Sequence, residues 1–451
     1  MPLKAVAWLA LFLFFMWMTF RRSSWGAALY MMTYYASPTG WWWGKGFLSS
    51  ITSRWSLVAA LIFAAGVLLD TRPRPSSAPD HARPVFLLLL IYVLNATLVH
   101  LLFADNPELS RTGLETLWKQ LVLSYLLVAA IRTDSDLKVL MWAVLLGGAY
   151  VGYEVIFGGA GSREGGRLAG VAALGEAGGG NALAGLLAFS LPLGGYFFFF
   201  GRKLSKLPVI FSLVFVFEVV LRCVSRGCFL GMIAGGAWLL LRSRGRQRIY
   251  PITGIALALL AAVVLWGENL PQKILGRFET TFAPAEERDD SALSRIEFWR
   301  RGLAMVRDHP LGSGFAAAFR SDLGLSYITG LGETRYRSVH NGYIDIAAGW
   351  GVQGLALYLG AILLAFWALW RSTSRAYAAA STEAGFLGIC LEAALVIQLV
   401  ATMFGSTLDG ESFFWWIAMA LAFARILPES ASGEPREGGA SEVTDKGPQT
   451  G

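Results

Sequence analysis

Charged side chains are scarce in this chain. Only 15% of its 451 residues are Asp, Glu, Lys or Arg, whereas 55% are hydrophobic and the mean hydropathy is +0.52. A soluble chain of ordinary composition carries about 25% charged residues. The composition therefore excludes an ordinary soluble enzyme and indicates a protein that lies largely in a membrane.

Cysteine is also rare, and it lacks the spacings that signal a metal or a disulfide framework. The chain has three cysteines, of which Cys223 and Cys228 lie five residues apart at predicted helix ends, a poor geometry for a disulfide. No Cys-x-x-Cys or His-x-x-His spacing points to a metal. We expect the cysteines, including Cys390, to be small buried residues, and we expect neither a metal nor another cofactor.

Long apolar runs recur along the whole chain, each long enough to cross a bilayer core of about 30 Å. Because lipid offers no partner for backbone polar groups, such runs predict helices and not barrel strands. Twelve spans are predicted near 4–20, 53–70, 84–104, 114–131, 137–158, 179–200, 207–222, 226–241, 250–267, 342–370, 385–405 and 412–427. The stretch WGAALYMMTYY could cross, re-enter or lie on the surface, so the count is 12 or 13. We predict an all-α polytopic membrane protein, with its membrane-embedded domain over residues 1–427.

Clusters of Lys and Arg orient these spans, because cytoplasmic loops are enriched in both. The clusters fall in alternate loops, near residues 72–83, 202–206, 242–248 and 371–375, and they account for most of the net charge of +7. A nucleic-acid partner is therefore not expected. The other loops then face the periplasm, including one large loop over residues 268–341. The Gly-, Ser-, Glu- and Pro-rich residues 428–451 are predicted to be a disordered cytoplasmic tail.

The large predicted periplasmic loop contains ten basic and ten acidic residues, which favours a folded segment over a run of like charges. Within it, SALSRIEFWRRGLAMVRDHPLGSGF predicts a helix with a Pro-Gly stop. Its apolar face, formed by Ile296, Trp299, Leu303 and Val306, would lie along the membrane surface. Arg295, one turn from Trp299, would either snorkel to the surface or bind a phosphate at headgroup level.

Two further stretches place arginines at the predicted outer face. In LRCVSRGCFLGM, Arg226 lies between apolar helices, where an arginine is costly unless it is paired or lines a cavity. Ser225 would cap the second helix, and Gly227 would let a ligand approach closely. In GSREGGRLAGVAALGEAGGGNALAG, Arg163 and Arg167 accompany a glycine-rich backbone suited to an anionic or sugar ligand. The simpler interpretations are a snorkelling Arg226 and a flexible re-entrant loop.

His340 stands where the polar stretch RYRSV meets the apolar segment NGYIDIAAGWGVQG. The imidazole has an unperturbed pKa near neutrality, so it is readily used as a general base. It is also a common residue at a membrane interface. His340 is therefore a candidate base whose role depends on its surroundings.

The order of these motifs resembles the O-antigen ligase family. The pieces, over roughly residues 80–427, are GGRLAG, GGGNALAG and LPL, then SRG, then SRIEFWRRGLAMVRDHPLGSGF, and finally HNGYIDIAAGWGVQG. That superfamily also contains O-antigen polymerases and protein O-oligosaccharyltransferases. The N-terminal RRSSWGAALYMMTYYASPTGWWWG is similar to the probable O-glycosylation ligases of the exosortase A system.

The resemblance implies a membrane glycosyltransferase with a GT-C-like fold in the bacterial inner membrane. Such enzymes transfer a glycan from an undecaprenyl-diphosphate carrier to a hydroxyl of a lipid, glycan or protein acceptor, without a metal and with inversion. On this basis His340 would be the general base, and three arginines would bind the diphosphate: Arg226, Arg295 and Arg167. Asn341, Tyr343 and Asp409 would orient the histidine or a sugar.

Two alternatives remain open. A polymerase that adds repeat units to a lipid-linked chain would use the same donor chemistry, whereas a transporter or flippase belongs to another class. A transporter predicts paired half repeats, broken helices and ionisable residues at mid-membrane. The sequence shows no internal repeat and its charges cluster at helix ends, although Glu154, Glu218 and Glu392 lie within or near predicted spans.

Overall fold

The computed structural model describes residues 2–73, 81–164, 166–267, 290–331, 335–406 and 408–427, and this part of the chain is mostly helical. In chain order the helices are α1 (Leu3–Arg21), α2 (Ser24–Tyr35), α3 (Phe47–Ile51), α4 (Trp55–Leu69), α5 (Ala82–Phe103), α6 (Pro107–Ala130), α7 (Asp134–Ile156), α8 (Gly180–Ala188), α9 (Ser190–Phe200), α10 (Lys206–Cys223), α11 (Arg226–Arg242), α12 (Ile249–Trp266), α13 (Asp290–Asp308), α14 (Ala317–Arg320), α15 (Asp322–Ile328), α16 (Gly342–Ala378), α17 (Thr382–Thr402) and α18 (Glu411–Ile426). The prediction of an all-α polytopic membrane protein is confirmed.

Eight segments of the described chain are long and apolar enough to cross a membrane: α1, α5, α7, α8 with α9, α10, α12, α16 and α17. They match eight of the twelve predicted spans. The other four predicted spans are also helical but shorter or more polar, namely α4, α6, α11 and α18. The count of 12 or 13 crossings stays a prediction.

The short helix α2 runs through the interior and does not lie on the surface. Leu29 and Met31 are fully buried, and the helix packs against α1, α4 and α7. Beyond its C-terminus, Trp43 Nε1 donates a hydrogen bond to Tyr150 Oη at 2.6 Å. Because Tyr150 lies in the last two turns of α7, α2 returns through the bundle toward the end where α7 finishes.

The glycine-rich stretch after α7 forms a small antiparallel hairpin, β1 (Ser162–Glu164) and β2 (Arg167–Gly170), followed by a 3₁₀ turn over Ala172–Gly178. This departs from the all-helical pattern and was not predicted. Val171 N donates to Gly178 O at 2.7 Å, and β2 packs against α8 and α10. The stretch is therefore a folded element and not a flexible loop.

The helix predicted in the large loop exists as α13, but it buries a different face. Phe298 and Met305 pack into a second, smaller core, whereas Ile296 and Leu303 are 50% and 58% exposed. The exposure of these two residues leaves the prediction that this face lies along the membrane surface untested, and it stays a prediction. A Cβ at Gly302 would lie within 3 Å of two side chains beside the start of α16, so the helix approaches most closely there. Residues 268–289 and 332–334 of the predicted loop, and the predicted tail 428–451, lie outside the described residues.

The helix α16 is interrupted, which the sequence did not predict. Gly351, with a φ of +83° and a ψ of 164°, divides it into residues 342–350 and 352–378. Asn95 Nδ2 donates to the freed carbonyl of Trp350 at 2.8 Å. Two main-chain amides donate to the other freed carbonyls at 2.9 Å each, Ser313 to Ala348 and Gly314 to Gly349. The backbone at the break is thus satisfied by the chain itself, as an apolar surrounding requires.

A stripe of glycines brings α11 close to α17. Gly227, Gly231 and Gly235 recur every four residues and lie on one face of α11. A Cβ on Gly231 would lie 2.6 Å from the carbonyl oxygen of Ile397 on α17, and a Cβ on Gly235 would lie 2.5 Å from the Ile397 side chain. Small residues at this spacing let two helix backbones approach closely in a membrane.

A buried ionic cluster closes the end of the bundle that is predicted to be cytoplasmic. Asp136, at the start of α7, is fully buried and lies 2.5 Å from Arg22 and 3.2 Å from Arg72. Asp70, after α4, lies 2.7 Å from Arg72 and 3.3 Å from Arg132. The cluster joins the start of α2, the end of α4 and the connection between α6 and α7.

Candidate active site

His340 occupies a strained backbone position immediately before α16. Its φ is +53°, in the left-handed region that residues other than glycine rarely adopt. On one side Val339 is fully buried, and on the other Ile344 is anchored in the same second core. The backbone N–H of His340 donates to Ser338 Oγ at 3.3 Å. Strain of this kind clusters at functional sites, where the surrounding structure holds it in place.

Asn341 and Tyr343, which were predicted to support His340 or a sugar, fix the start of α16. Asn341 Oδ1 accepts hydrogen bonds from the main-chain amides of Tyr343 at 3.0 Å and Ile344 at 3.2 Å, so it is the N-cap. Tyr343 Oη donates to Leu399 O of α17 at 2.9 Å. Both residues therefore position the segment that carries His340, and a direct contact with a sugar stays a prediction.

Positive charge surrounds the imidazole. Burial is the largest cause that lowers the pKa of His340 from 6.5 to about 4. Four arginines lower this pKa further, in decreasing order Arg295, Arg320, Arg167 and Arg337. The imidazole is therefore neutral at pH 7, and a neutral imidazole has one ring nitrogen that can accept a proton. Two of the three predicted diphosphate ligands, Arg295 and Arg167, are thus brought to the histidine.

Other arginines of the same motifs form local ion pairs. Arg222 Nε lies 2.7 Å from Glu218 one turn away on α10. Arg300 and Arg301 both pair with Glu297 on α13, at 2.8 Å and 3.0 Å. Neither arginine of the RR pair is among the four that lower the pKa of His340.

Arg226 begins α11 and is joined to the rest of the site through Phe404. Ser225 caps α11, as predicted. Gly227 does not make room for a ligand, which corrects the prediction, because a Cβ there would lie 2.5 Å from Phe404 Cβ. The Phe404 ring in turn faces Trp299 of α13, with ring centroids 5.9 Å apart. Phe404 therefore links the start of α11 to the helix that carries Arg295.

Arg167 connects the histidine to the turn between α10 and α11. It begins β2, and its charge acts on both His340 and Cys223. Cys223 is the last residue of α10 and precedes Arg226 by three positions. The hairpin thus brings Arg167 within electrostatic range of both parts of the site. All three cysteines are buried free thiols, as expected.

A cavity of about 260 Å³ adjoins this group of residues. Asp409, a predicted site residue, lines it together with Ser406. Ser406 Oγ lies 2.8 Å from the hydroxyl of Ser338, which in turn accepts from the backbone of His340. Asp409 is therefore placed in the wall of a cavity near the histidine, and its role toward a sugar stays a prediction.

Sequence reasoning missed several residues at this site. Arg320 is the last residue of the irregular turn α14, where Phe319 has a φ of +66°, and it pairs with Asp345 of α16 at 3.6 Å. A single arginine after AAAF belongs to no motif, so only the fold reveals it. Ser406 and Gln398 of the cavity wall were missed for the same reason. Within the described ranges, no group of three or more His, Cys, Asp or Glu side chains is placed to hold a metal ion.

Two family models match the chain. Residues 179–359 match the model described as O-antigen ligase, and residues 3–177 match a model described as a family of unknown function (DUF5935). No curated protein matches the sequence. Arg226, Arg295 and His340 lie inside the ligase match, whereas Arg167 lies inside the other. The N-terminal match assigns no function, so the exosortase-associated subgroup stays a prediction. Residues 179–359 of this polytopic membrane protein are therefore similar to the O-antigen ligase family, which supports a membrane ligase or polymerase of that superfamily.

Proposed function

We propose that this protein transfers a glycan from an undecaprenyl-diphosphate carrier to an acceptor hydroxyl at the periplasmic face of the bacterial inner membrane. The observation that carries the proposal is a neutral histidine held among cations, His340 beside Arg295, Arg320 and Arg167. A neutral imidazole accepts a proton, and the planar fork of a guanidinium matches phosphate oxygens. The ligase match adds lipid-linked glycans as the class of substrate.

The reaction needs one proton transfer and one displacement. The acceptor hydroxyl gives its proton to a ring nitrogen of His340 while its oxygen forms a bond to the anomeric carbon. The bond between that carbon and the diphosphate oxygen breaks on the opposite face, so the configuration inverts. The diphosphate leaves with the electron pair, and Arg295, Arg167 and Arg226 stabilise its negative charge.

The arginines around His340 also set its pKa and therefore its strength as a base. A pKa of about 4 keeps His340 neutral but makes it a weak base in the free protein. A bound diphosphate offsets the positive charge of the arginines and raises the pKa of His340 again, because an opposite charge nearby favours the protonated form. The histidine thus becomes a stronger base when the donor is in place.

The interrupted helix α16 does not favour a transporter. In transporters, the carbonyls of unwound helices coordinate the coupling ion. Here the carbonyls freed at Ala348, Gly349 and Trp350 accept hydrogen bonds from other parts of the chain. A transferase therefore accounts for the site better.

The test compares two histidines of the same outer region. Cells that lack the protein are restored with the natural sequence, His340→Ala or His309→Ala, and their lipid-linked glycans are measured by mass spectrometry. His309 contacts Tyr327 through its ring and lies outside the group around His340, so it is a matched control. We expect His340→Ala to accumulate long chains on the carrier and to lower transfer by about 10²-fold or more. We expect His309→Ala to resemble the natural protein.

Two other results are informative. Accumulation of single repeat units on the carrier would identify a polymerase, which shares the donor chemistry. Unchanged glycan pools at equal protein levels would remove His340 from the mechanism.

A further inference from the structure

The cavity near His340 has a largely apolar wall into which several parts of the fold bring polar groups. It lies where α6, α8 and α17 meet Ser406 and residues 409–413. Hydroxyl, amide and carboxyl groups line it: Thr112, Thr116, Gln120, Gln398, Asp409 and Glu411. A few polar groups on a largely apolar wall are typical of a site that fixes a small ligand.

Two buried glutamines of this lining have amide atoms without a hydrogen-bond partner among the residues that the structure describes. Gln398 and Gln120 are each only 3% exposed. Neither Oε1 nor Nε2 of Gln398 has a hydrogen-bond partner among the described residues, and the same holds for Oε1 of Gln120. Buried polar atoms are almost always paired, so unpaired amides on two facing helices need an explanation. These amide atoms are themselves buried, so a ligand with hydroxyl groups would complete their hydrogen bonds once the two side chains turn toward the cavity.

The charge of the lining selects the kind of ligand. Among the described residues that line the cavity none is Lys or Arg, whereas Asp409 and Glu411 are acidic. A diphosphate is therefore disfavoured here, in contrast to the surroundings of His340. A neutral sugar ring suits the lining, because its hydroxyls donate to carboxylates and both donate to and accept from amides. Phe315 and Tyr34 add aromatic surface for the apolar face of a ring.

The wall of the cavity is fixed before any ligand binds. Phe315 packs directly on Gly113 of α6, where a Cβ would lie 2.1 Å from its ring, and its main-chain amide donates to Ser110 Oγ at 3.3 Å. On the other side, Glu411 accepts from Tyr30 Oη at 3.1 Å. A cavity whose wall is already in place loses less entropy on binding than one that must assemble around its ligand.

We propose that this cavity binds a single neutral sugar ring of the glycan substrate, with Gln398 and Gln120 as its principal hydrogen-bonding residues. The inference rests on the proposed function, because it assigns the sugar to the transfer reaction near His340. The ring belongs either to the carrier-proximal sugar of the donor or to the terminal sugar of the acceptor. Both offer the same hydroxyl chemistry, and kinetics separates them.

Binding is tested first without catalysis. The purified full-length protein in lipid nanodiscs is exposed to a panel of methyl glycosides of common hexoses and N-acetylhexosamines, and contacts are detected by saturation-transfer NMR. We expect at least one glycoside to bind the natural protein and His340→Ala, and to lose its signal in Gln398→Leu. Gln247→Leu is the control, because Gln247 also has an unpaired side-chain oxygen but lies in the connection before α12. If Gln398→Leu does not fold, Gln120→Met carries the test from the facing helix.

Kinetics then identifies the source of the sugar. Loss of one to two hydrogen bonds is expected to raise one KM by roughly tenfold. A raised KM for the donor alone assigns the cavity to the carrier-proximal sugar, and a raised KM for the acceptor alone assigns it to the acceptor.

Two results would overturn the inference. The first is that no glycoside binds the natural protein. The second is that binding and both KM values are unchanged in the folded glutamine variants, in which case the cavity holds only water. A protein that binds a glycoside through Gln398 but shows no glycan transfer would refute the proposed function and leave the sugar site standing.

Discussion

At the scale of single residues, the backbone and the charge of His340 act together. The left-handed φ turns the chain sharply between Val339 and Ile344, and both neighbours are held in the second core. The turn places the imidazole among arginines contributed by β2, α13 and α14. A glycine would adopt this backbone without strain, so a histidine there is consistent with the proposed use of its side chain.

The positive charge of the arginines around His340 predicts how the rate of glycan transfer depends on pH. A general base must be unprotonated, so kcat/KM for glycan transfer should stay level as the pH falls from 8 and decline only near the pKa of about 4. Arg295→Gln removes the strongest of the four positive charges, so it should raise this pKa and move the decline to higher pH. Arg300→Gln should not move it, because Arg300 is 74% exposed and pairs with Glu297. Initial rates measured across pH for both variants check this expectation.

The stability of the protein has to be measured over the same pH range as the initial rates. The pKa of His340 is lower in the folded protein than the ordinary 6.5, so the neutral histidine contributes stability above pH 6.5 that is lost as the pH falls through about 4. Thermal unfolding at each pH separates this loss from a loss of catalysis. An identical acid limb in Arg295→Gln and Arg300→Gln would contradict the electrostatic account.

Motifs revealed some site residues and could not reveal others. His340, Arg295 and Arg167 were predicted because they lie in stretches of recognisable order, and the fold brings these three together. Arg320 and Gln398 lie in stretches without a motif. They enter the site only because α14 folds back and because α6 and α17 enclose a cavity. Such side chains come together through tertiary packing, which local sequence does not encode.

At the scale of elements, the contact between α11 and α17 is the closest helix packing that supports the site. It anchors Arg226 and Ser225 at one end of α11 and the loop that carries Phe404 at the end of α17. Because the Ile397 carbonyl meets Gly231 directly, the separation of the two helices depends on the absence of a side chain. The separation of α11 and α17 therefore affects the position of the turn between α10 and α11.

Replacing a glycine of α11 by alanine tests this packing, because it adds a single methyl group. Gly231→Ala places a Cβ 2.6 Å from the Ile397 carbonyl oxygen, so α11 must move, and we expect a destabilisation of roughly 1–3 kcal/mol. Gly236→Ala, five residues later on α11, meets only an ordinary contact of 3.5 Å with Ile255 and should be neutral or stabilising by about 0.5–1 kcal/mol. Thermal unfolding of both variants in one detergent gives the comparison. Equal stability of the two would show that the close approach does not matter.

Structural elements that depend on hydrophobic periodicity or on the length of an apolar run were predicted well. Elements that depend on main-chain hydrogen bonds with distant residues were predicted poorly. The spans, the helix α13 and the cap at Ser225 follow from apolar runs and capping residues. The hairpin of β1 and β2 and the break at Gly351 depend on hydrogen bonds with distant parts of the chain. The close approach of α13 to the second core at Gly302 is likewise not shown by a pattern of large apolar residues.

At the scale of the whole molecule, the two ends of the bundle differ in chemistry. One end holds His340 and its arginines next to a cavity, and the other holds the buried ionic cluster around Asp136 and Asp70. At that second end, Arg425 of α18 also donates to the carbonyls of Val128 and Ile131. These bonds lock α18 and the connection between α6 and α7 together, away from the candidate site.

The predicted orientation of these ends can be measured with single cysteines. The three native cysteines are buried, so background labelling should be low. Tyr336 is 56% exposed near His340, and Leu204 is 94% exposed in a loop predicted to be cytoplasmic. In intact cells with a permeable outer membrane, an impermeant maleimide should label Tyr336→Cys but label Leu204→Cys only after lysis. The reverse pattern would place the site on the cytoplasmic side.

Composition was sufficient to predict the class of the molecule, because scarce charge and repeated apolar runs leave few alternatives to a helical bundle. It was not sufficient to predict how the helices are arranged. The course of α2 was open in the sequence, since a short apolar stretch fits several positions. The structure decides it through the packing of α2 against α1, α4 and α7.

The break in α16 also bears on how this protein can be engineered. Residues 310–314 complete the backbone of α16, and Asn95 of α5 completes it from the membrane side. The outer region is therefore not an exchangeable module. A chimera that replaces residues 268–341 with those of a relative has to bring a main-chain segment that fits Ala348 and Gly349. A graft boundary drawn at the surface of the bundle would cut through one continuous hydrogen-bonded structure.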